Sequence, residues 1–535
     1  MKYITLVLLL LPSLLVAQSI TIQGAAQIDA REVVIGQYPG EDELLLFVNH
    51  DSDLTVEDST FTNVGGYDIN IGLLEDGYLD YGLTLATPGS EKWHSFGVLN
   101  DGTDSAYYVA QFQDSLKIQF EDDDDDSDVW RSDFPYAVGV MMSDENDILW
   151  RSYIGYADTS IIKSTPNKGH LYLAGKFSDS LQYVDPTGFI SEFSLPGTDE
   201  GIFLMSLDAE GDLDWMVTFD GDDFANVANL TMIGDDVSLL YNNMEGSSMI
   251  TINPAGDLVR QVKWDNCTFI HSAFEYGSLY ISGSVDTDED HNLELNSGVF
   301  SLPAGNDNDG AIISYNADFS FNWVKNIAGA NRSHIANFDF TSDGFLYATG
   351  HIRGESTIGD GIVLTGAEDD HDLFIAKYAV DGTPVWAEVY QSEGDDSGRY
   401  IIVADEESEE NQVHVVGTFA GELTLPIDFF EETFIADTNL SPRSWVAMTF
   451  EEDLSSSTTD VPAGRLQLSP NPATNYLLVA NQGNDSAYIL TDVSGKEQVL
   501  NSRGNHIDIS ALMPGVYALR PVGDTYGHAT RFVKL

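Results

Sequence analysis

Residues 372–386 read Asp-Leu-Phe-Ile-Ala-Lys-Tyr-Ala-Val-Asp-Gly-Thr-Pro-Val-Trp, and this stretch decides the fold. Strand-like segments lie on both sides of Asp381-Gly382, which predicts two β-strands joined by a tight hairpin turn. Two further strand-like segments precede them, His334–Phe340 and Leu346–Gly350. The sequence therefore contains a unit of four short strands.

Similar units recur at a period of about 60 residues. The second segment occurs seven times, beginning near Leu44, Ala106, Leu171, Val237, Leu279, Leu346 and Val413. The third also occurs seven times, beginning near Asp68, Ala137, Ile202, Ser247, Gly310, Asp372 and Ser444. The fourth occurs six times, near Tyr78, Trp150, Trp215, Val259, Trp323 and Trp386.

A strand for the missing seventh position stands at the other end of the chain. Ser19–Gln23 precedes the first unit, and pairing it with the last unit closes a ring without leaving a sheet edge exposed. The sequence therefore predicts an all-β protein, with a seven-bladed β-propeller over residues 18–453 followed by a small C-terminal β-sandwich. A six-bladed ring and an open two-part array are the alternatives.

The run from Asp372 to Trp386 also resembles the bacterial β-propeller repeat family. The resemblance lies in the order Asp, Phe, Ala-Lys-Tyr, Gly and Trp along this run. Three other units resemble the family less closely. The fourth unit departs from the pattern, because Val259 or a neighbour stands at the Trp position and the loop between its second and third strands is nearly absent.

The charge of the chain is extreme. Its 535 residues carry 87 Asp and Glu against 23 Lys and Arg, a formal net charge of -64. Such a surface repels phosphate backbones, so nucleic acid is excluded as a partner, whereas cations and basic surfaces stay open. Self-repulsion of this size is best tolerated in high salt, which favours a saline habitat.

The first 17 residues have the pattern of a signal peptide. Lys2 is followed by the apolar run Ile4–Leu11 and by Ala17, and no cysteine follows that could carry a lipid anchor. No later segment is apolar for the roughly 18 residues that a membrane span needs. The single cysteine, Cys267, excludes an intramolecular disulfide framework and any zinc site with several cysteines.

The C-terminal region differs from the rest of the chain. Residues Glu451–Gly464 are rich in Ser, Thr and acid, and 454–464 are predicted to be a linker. From Gly464 onward the chain has six Lys and Arg and five Asp and Glu, a net charge of +1, so the acidity belongs to the preceding residues. Alternating runs at Tyr476–Val479, Ala487–Leu490 and Gly515–Leu519 predict the strands of the small β-sandwich.

Residues 465–535 resemble the type IX secretion sorting domain of Bacteroidetes. Its motifs occur in order at the end of the chain, at Pro470, Asn471, Pro472, Asp492, Gly495, Pro514, Gly515, Tyr517 and Lys534. The resemblance implies export through the periplasm and across the outer membrane, with the type IX machinery as partner. It implies a secreted or cell-surface protein and no chemistry in this module.

No nucleophile, metalloprotease or phosphate-loop motif is present, so the sequence names no catalytic residue. Acid clusters are frequent in the predicted connections between second and third strands and between blades. Asp286, Asp288 and Asp290 have the alternate spacing of calcium ligands, although His291 stands where an EF-hand loop has glycine. Calcium is therefore a candidate cofactor, and solvated acidic loops are the simpler interpretation.

Two aromatic sets are further candidates. His94, His271 and His334 begin the predicted innermost strands of three blades and could face a central channel, although these blades are not all adjacent. Trp150, Trp215, Trp323 and Trp386 are better explained by packing between blades than by stacking on sugars.

The sequence thus favours an exported, noncatalytic propeller that binds an unknown extracellular ligand. Two alternatives stay open, a secreted hydrolase or lyase acting on polysaccharide or protein, and a calcium-assisted adhesion or structural protein of the cell surface. A fold alone does not decide among them.

Overall fold

The computed structural model describes the strands named below and, with their connections, residues 169–194, 200–220, 225–286, 308–329, 331–358, 362–404, 412–427, 430–436 and 444–452. Two compact units contain these strands, Ile20–Glu452 and a C-terminal unit within Asp453–Leu535. The predicted signal peptide and the predicted linker lie outside the described residues. Within the described part of the chain, no helix has the length and apolar character to cross a membrane.

The first unit consists of seven four-stranded antiparallel blades. Its strands as far as blade three are β1 (Ile20–Ile28), β2 (Glu32–Gln37), β3 (Leu44–His50), β4 (Leu54–Val56), β5 (Ser59–Phe61), β6 (Asp68–Glu75), β7 (Tyr78–Leu85), β8 (Lys92–Val98), β9 (Ser105–Phe112), β10 (Ser115–Gln119), β11 (Asp128–Arg131), β12 (Ala137–Asp144), β13 (Asp147–Asn167), β14 (His170–Val184), β15 (Ile190–Ser194), β16 (Glu200–Leu207) and β17 (Leu213–Asp220).

Blades four to seven contain β18 (Asn226–Ile233), β19 (Asp236–Asn243), β20 (Gly246–Ile252), β21 (Leu258–Asp265), β22 (Cys267–Glu275), β23 (Ser278–Val285), β24 (Asn292–Leu295), β25 (Gly298–Ser301), β26 (Asp309–Asn316), β27 (Phe321–Gly329), β28 (His334–Phe340), β29 (Phe345–Ile352), β30 (Glu355–Ile358), β31 (Ile362–Thr365), β32 (Asp372–Ala379), β33 (Pro384–Tyr390), β34 (Ser397–Ala404), β35 (Gln412–Phe419), β36 (Glu422–Ile427), β37 (Phe430–Ile435) and β38 (Ser444–Glu452).

Each blade runs from an innermost first strand to an outermost fourth strand. Blade one is β2-β3-β6-β7, blade two is β8-β9-β12 with the first part of β13, and blade three is the second part of β13 with β14, β16 and β17. Blade four is β18-β19-β20-β21, blade five β22-β23-β26-β27 and blade six β28-β29-β32-β33. Blade seven is β34-β35-β38 with β1 as its outermost strand.

The ring closes by pairing the two ends of the unit. Strand β1 lies antiparallel to β38, with Ile20 opposite Glu452 and Ile28 opposite Trp445. This pairing confirms the strand expected at Ser19–Gln23 and leaves the last blade complete. The seven-bladed propeller is therefore correct, and the six-bladed and open alternatives are wrong.

Hairpins inserted between second and third strands lie along the rim. Strand β10 pairs with β7 of the preceding blade, the end of β14 pairs with β13, and β30 pairs with β27. These connections turn outward because each supplies hydrogen-bond partners to an otherwise open outer strand.

The core lies between blades. Alternate residues of a middle strand pack into opposite interfaces: Leu279 and Ile281 of β23 join the cluster shared with blade four, whereas Tyr280 joins the cluster shared with blade six. Both faces of a middle strand are therefore buried, which explains near-continuous apolar runs such as that of β32. Trp150, Trp215 and Trp323 reach across these interfaces.

Each of these tryptophans packs on a turn of the next blade. The Trp150 indole N–H donates to the carbonyl oxygen of Ala209 at 2.7 Å, and that of Trp323 donates to Val380 at 3.2 Å. A Cβ atom on Gly211, whose φ is +81°, would come within 2.7 Å of the Trp150 ring. The interpretation of these tryptophans as inter-blade packing is confirmed. Trp386 fits it too, because it belongs to the buried cluster shared by blades six and seven, where it also packs on Tyr347 of its own blade.

Blade four replaces this tryptophan with arginine. Arg260 pairs with Thr251 as Trp215 pairs with Ser206 in blade three. Its guanidinium carbon lies 4.6 Å from the ring centre of Phe319, which occupies the left-handed turn position where other blades have glycine. The residue at the tryptophan position is therefore Arg260 rather than Val259, and a cation–π contact takes over the packing.

The C-terminal unit is a small β-domain. Its strands are β39 (Gln467–Ser469), β40 (Tyr476–Ala480), β41 (Ala487–Asp492), β42 (Glu497–Arg503), β43 (His506–Asp508), β44 (Gly515–Pro521) and β45 (Thr530–Lys534). Strand β42 pairs with both β41 and β43, so it joins two sheet portions. Tyr488, Leu490, Ile507, Ile509 and Leu519 form the buried core between them.

Candidate functional site: a histidine row at the long-loop end of blade six

First strands of neighbouring blades contact one another and line the channel. Five of them contain a β-bulge near the start of the strand. The residues that follow the bulge are Ser95, Asn229, His271, Asn337 and Tyr400.

Polar contacts connect several of these first strands. The Nδ1 atom of His271 lies 3.3 Å from the Nδ2 atoms of both Asn229 and Asn337. Asn337 in turn accepts the backbone N–H of Ile401 in blade seven at 3.2 Å. His271 therefore belongs to hydrogen bonds that tie blades four, five and six together.

The predicted convergence of His94, His271 and His334 is not observed for the side chains that the structure describes. His94 lies at the bulge of β8, and its side chain is outside the described part. His334 instead lies at the long-loop end, defined here as the end where second strands lead to third strands and where blades connect. Over the described ranges, no group of three His, Cys, Asp or Glu has the geometry to hold a metal ion.

Three histidines form a row at the long-loop end of blade six, and we call His334, His351 and His371 the histidine row. His334 opens β28 and pairs with His351 near the end of β29, while His371 directly precedes β32. The ring centres of His334 and His351 are 5.6 Å apart, and those of His351 and His371 are 4.5 Å apart. The first three strands of blade six, which are β28, β29 and β32, thus bring the rings together.

Each ring of the row is held through its Nδ1 atom. His334 Nδ1 lies 2.6 Å from Ser284 Oγ in blade five, and His351 Nδ1 lies 3.2 Å from Ser397 Oγ in blade seven. His371 Nδ1 lies 3.1 Å from Asp395 Oδ1, which also accepts the His371 backbone N–H. These contacts fix the ring orientations across three blades.

Charge at the row is unevenly distributed. Burial lowers the pKa of His334 to about 4, and the nearby Arg399 guanidinium adds to this shift. His334 is therefore neutral at pH 7. His371 and Asp395 are more open, with side-chain exposures of 30% and 40%, so a ligand in solution can reach this pair.

The connection between blades six and seven is anchored by Asp396, which is 1% exposed. Its Oδ2 atom accepts the Ser392 N–H at 2.5 Å, and its Oδ1 atom accepts the Ala420 N–H at 3.2 Å. The Asp396 N–H donates to the carbonyl oxygen of His371 at 2.6 Å. Residues 391–396 are thereby fixed to both blades, which positions Asp395.

Burial, together with the nearby Asp372 carboxylate, raises the pKa of Asp396 to about 7, although hydrogen bonds from Ser392 and Ala420 act in the opposite direction. Ser392 Oγ lies near both Asp396 Oδ1, at 2.5 Å, and the carbonyl oxygen of Ala420. A hydroxyl has one hydrogen and can donate it to only one of these atoms. The Asp396 carboxylate and the Ala420 carbonyl therefore compete for the Ser392 hydroxyl hydrogen.

Asp372 anchors the other connection at this end. It is fully buried, and its Oδ2 atom accepts the backbone N–H of Ala367. Its Oδ1 atom is buried without a hydrogen-bond partner, and burial raises the pKa of the Asp372 carboxyl. Asp372, the first residue of the run that ends at Trp386, therefore holds the loop that carries His371.

The proposed calcium ligands are only partly described. Asp286 is exposed at the end of β23, and its N–H donates to the carbonyl oxygen of Asn266 at 2.9 Å. Asp288 and Asp290 lie outside the described residues, so the calcium site stays a prediction. The acidic residues 121–126 also lie outside, in the connection of the rim strands β10 and β11.

Four sorting-motif positions lie on adjoining strands. Asp492 on β41 is opposite Tyr517 on β44, and Gly515 on β44 is opposite Lys534 on β45. Lys534 is buried and Tyr517 half-buried. Pro470, Asn471, Pro472, Gly495 and Pro514 lie outside the described residues.

Sequence reasoning missed His351, His371 and Ser397. It placed Asp395 and Asp396 among the acidic residues of a connection between blades but gave them no role. A signal existed, because His351 follows Gly350 of the repeated second segment and His371 precedes Asp372 of the third. Aligning the repeats with one another would have placed both histidines at the same end of one blade. The contribution of the connection 391–396 depends on tertiary contacts that no local pattern encodes.

No family model matches this chain, and no curated protein matches it either. Among solved structures it is similar to the Dos1 propeller, at 9% identity and a TM-score of 0.36, covering 80% of this chain and 95% of that one. It is also similar to the Pyrococcus horikoshii acylaminoacyl peptidase, at 10% identity and a TM-score of 0.36, covering 92% of this chain and 58% of the peptidase. With Porphyromonas gingivalis dipeptidyl peptidase 4 it shares 10% identity and a TM-score of 0.32, covering 86% of this chain and 55% of that one. These low scores carry no argument, and the class of protein, an all-β propeller, follows from the strand order.

Proposed function

We propose that this chain is an exported, noncatalytic binding protein whose propeller holds an extracellular ligand at the long-loop end of blades six and seven. The observation that carries the proposal is the fixed pair of His371 and Asp395, half-exposed between two anchored connections. Preorganised polar groups lower the entropic cost of binding, because they need no ordering when the ligand arrives. Such an arrangement supports recognition.

The chemistry of the row also favours binding. Each imidazole is engaged through Nδ1 by a serine or an aspartate, so Nε2 is the atom that faces other partners. When Nδ1 of His371 donates to Asp395, its Nε2 accepts a hydrogen bond from a hydroxyl or amide of the ligand. A glycan or a peptide offers such groups.

Export is the second part of the proposal. The leader pattern at residues 1–17 and the ordered motifs of residues 465–535 support delivery by a type IX machinery to the cell surface or the medium. The cross-strand pair of Asp492 and Tyr517 supports treating these motifs as one surface. The near-neutral charge of this region suits a module separate from its acidic cargo.

A binding screen tests the recognition proposal. Arrays of glycans and of peptides are probed in high salt with the wild-type chain, with His371→Ala and with His170→Ala. His170 is a matched control, because it also pairs with an aspartate, Asp214, at 2.9 Å, but lies at the opposite end of a blade. We expect His371→Ala to weaken a binding hit about tenfold, as loss of one hydrogen bond to the ligand does.

The control and the ligand's fate complete the test. His170→Ala is expected to bind as the wild type does. Loss of binding in His170→Ala with retention in His371→Ala contradicts the proposed location. Chemical conversion of the bound ligand by the wild-type chain contradicts a noncatalytic role.

A further inference from the structure

The rim hairpins show what can occupy the outer edge of a blade in this protein. Strands β10, β14 and β30 each pair antiparallel with the outer strand of the preceding blade, while β36 pairs parallel with β1 of its own blade. One of the occupying strands, Ser115–Gln119, is short and alternates apolar and polar residues. An added antiparallel strand therefore covers three of the outer edges.

In the described ranges the outer strands of blades three, four and six, which are β17, β21 and β33, have no such strand paired with them, and β17 has the least protected composition of the three because β33 begins with Pro384. A hairpin covering β17 would have to come from blade four, whose second and third strands are joined by the tight turn Asn243–Gly246. Throughout the ranges that the structure describes, β17 pairs with β16 and with no strand on its outer side. The outer backbone groups of β17 thus have no strand partner in that part of the chain.

Burial agrees with an open edge. Beneath the rim hairpins, Ile154 of β13 and Ile327 of β27 are 0% exposed. The residues from Leu213 to Phe219 in β17 are all half-buried or exposed. Water therefore reaches along β17, whereas hairpins exclude it from the covered strands.

The composition of β17 offers little protection against strand addition. Its sequence Leu-Asp-Trp-Met-Val-Thr-Phe-Asp contains no Lys, Arg, Pro or Gly. The neighbouring outer strand β21 contains Arg260 and Lys263, and cationic residues on an edge discourage pairing with another chain. An edge without these residues favours β-augmentation, in which an extended segment adds as a new strand.

Charge selects the occupant. If two copies of this chain paired through β17 about its centre at Val217, Asp214 of each copy would lie opposite Asp220 of the other. Like charges directly opposite one another are destabilising, and both chains carry the same large negative charge. The same two aspartates attract cationic residues at the ends of an incoming strand.

We propose that the outer edge of β17 is a docking site for an extended, basic segment of a partner protein, which adds antiparallel to this strand. Main-chain hydrogen bonds supply the pairing, and Asp214 and Asp220 select for lysine or arginine on either side of the segment. This docking site lies on blade three, shares no residue with the histidine row of blade six and does not depend on it.

The test uses a peptide with the sequence KKSLKIQKK, which copies the rim strand Ser115–Gln119 and adds lysines. Its binding to the full mature chain is measured by fluorescence anisotropy at about 0.15 M salt, where surface charges are partly screened. Two N-methylated versions block alternate sets of backbone N–H groups. A strand added at an edge uses only one of these sets.

We expect saturable binding that one methylated version loses at least about tenfold and the other keeps. The double variant Asp214→Lys/Asp220→Lys is expected to weaken binding about tenfold, whereas the control Glu245→Lys/Glu355→Lys, with the same change in net charge, keeps most of it. Absence of binding, equal binding of both methylated peptides, or equal losses in both double variants overturns the proposal. Dimerisation of the chain through β17, detected by sedimentation and abolished by Asp214→Lys/Asp220→Lys, also overturns it.

Discussion

Replacing Asp396 by asparagine should remove a pH-dependent loss of stability from the propeller. Asp396 is 1% exposed and its pKa rises from 3.8 to about 7 in the folded chain. Between these two values the folded state holds a proton that the unfolded state has released. Stability from this group is therefore greatest below pH 4 and falls as the pH rises through 7.

The magnitude follows from the two pKa values. A shift from 3.8 to about 7 corresponds to about 4 kcal/mol between the fully protonated and fully ionised limits. About 3 kcal/mol of this loss falls between pH 5 and pH 8. Asparagine has no such titration, so the free energy of unfolding of Asp396→Asn relative to wild type should rise by about that amount over the same interval.

Urea unfolding at pH 5, 6, 7 and 8, followed by tryptophan fluorescence, measures this difference. All eight tryptophans lie between Trp93 and Trp445, so the signal reports on the propeller. The exposed Asp369→Asn on the same blade controls for the loss of one negative charge. A difference between Asp396→Asn and wild type that stays flat from pH 5 to pH 8 refutes the reasoning about this buried carboxyl.

Three further predictions concern packing, closure and metal. Gly211→Ala should be less stable than Gly169→Ala by roughly 1–3 kcal/mol in urea unfolding, because both have positive φ but only the former meets Trp150; equal losses contradict the packing role. Deleting residues 20–28 should expose the edge of β38 and give aggregated or early-melting protein by size-exclusion chromatography and calorimetry, and a monomer of unchanged melting temperature contradicts ring closure. The calcium interpretation predicts that excess EDTA lowers the melting temperature and that Asp288→Asn removes this response; an unaltered melting temperature contradicts it.

Strand positions could be predicted because each blade repeats the same local pattern. The third strands expected near Asp68, Asp372 and Ser444 begin at those residues, and the one expected near Gly310 begins one residue earlier. Alternation and turn glycines act within a few residues, so a single chain displays them. Closure was also predictable, since a missing strand and a spare one are both visible in the sequence.

The rim hairpins could not be predicted in the same way. Their position depends on the hydrogen-bonding needs of the outer strand of a neighbouring blade, which lies about 30 residues away in the chain, so no local pattern reveals it. The substitution at Arg260 was hidden for a similar reason. Its partner Phe319 lies about 60 residues further along the chain, at a turn position that glycine occupies in other blades. Nothing in the local sequence connects the two substitutions.

The histidine row was only partly visible. His334 was identified from its place at the start of a first strand, but its neighbours come from the second and third strands and from the next blade. The strongest features of the site are buried carboxyls, and composition conceals them because acid is abundant throughout the chain. Among the acidic residues that the structure describes, burial singles out Asp309, Asp372 and Asp396, and the latter two lie at this site.

Export is the central claim of the proposed function, and cell fractionation tests it most directly. The full chain and a chain ending before residue 465 are expressed in a bacterium with a working type IX machinery, and each is quantified in periplasm, outer surface and medium. The account predicts the full chain at the surface or in the medium and the shortened chain retained, folded, in the periplasm. Equal amounts of both chains outside the cell would contradict it.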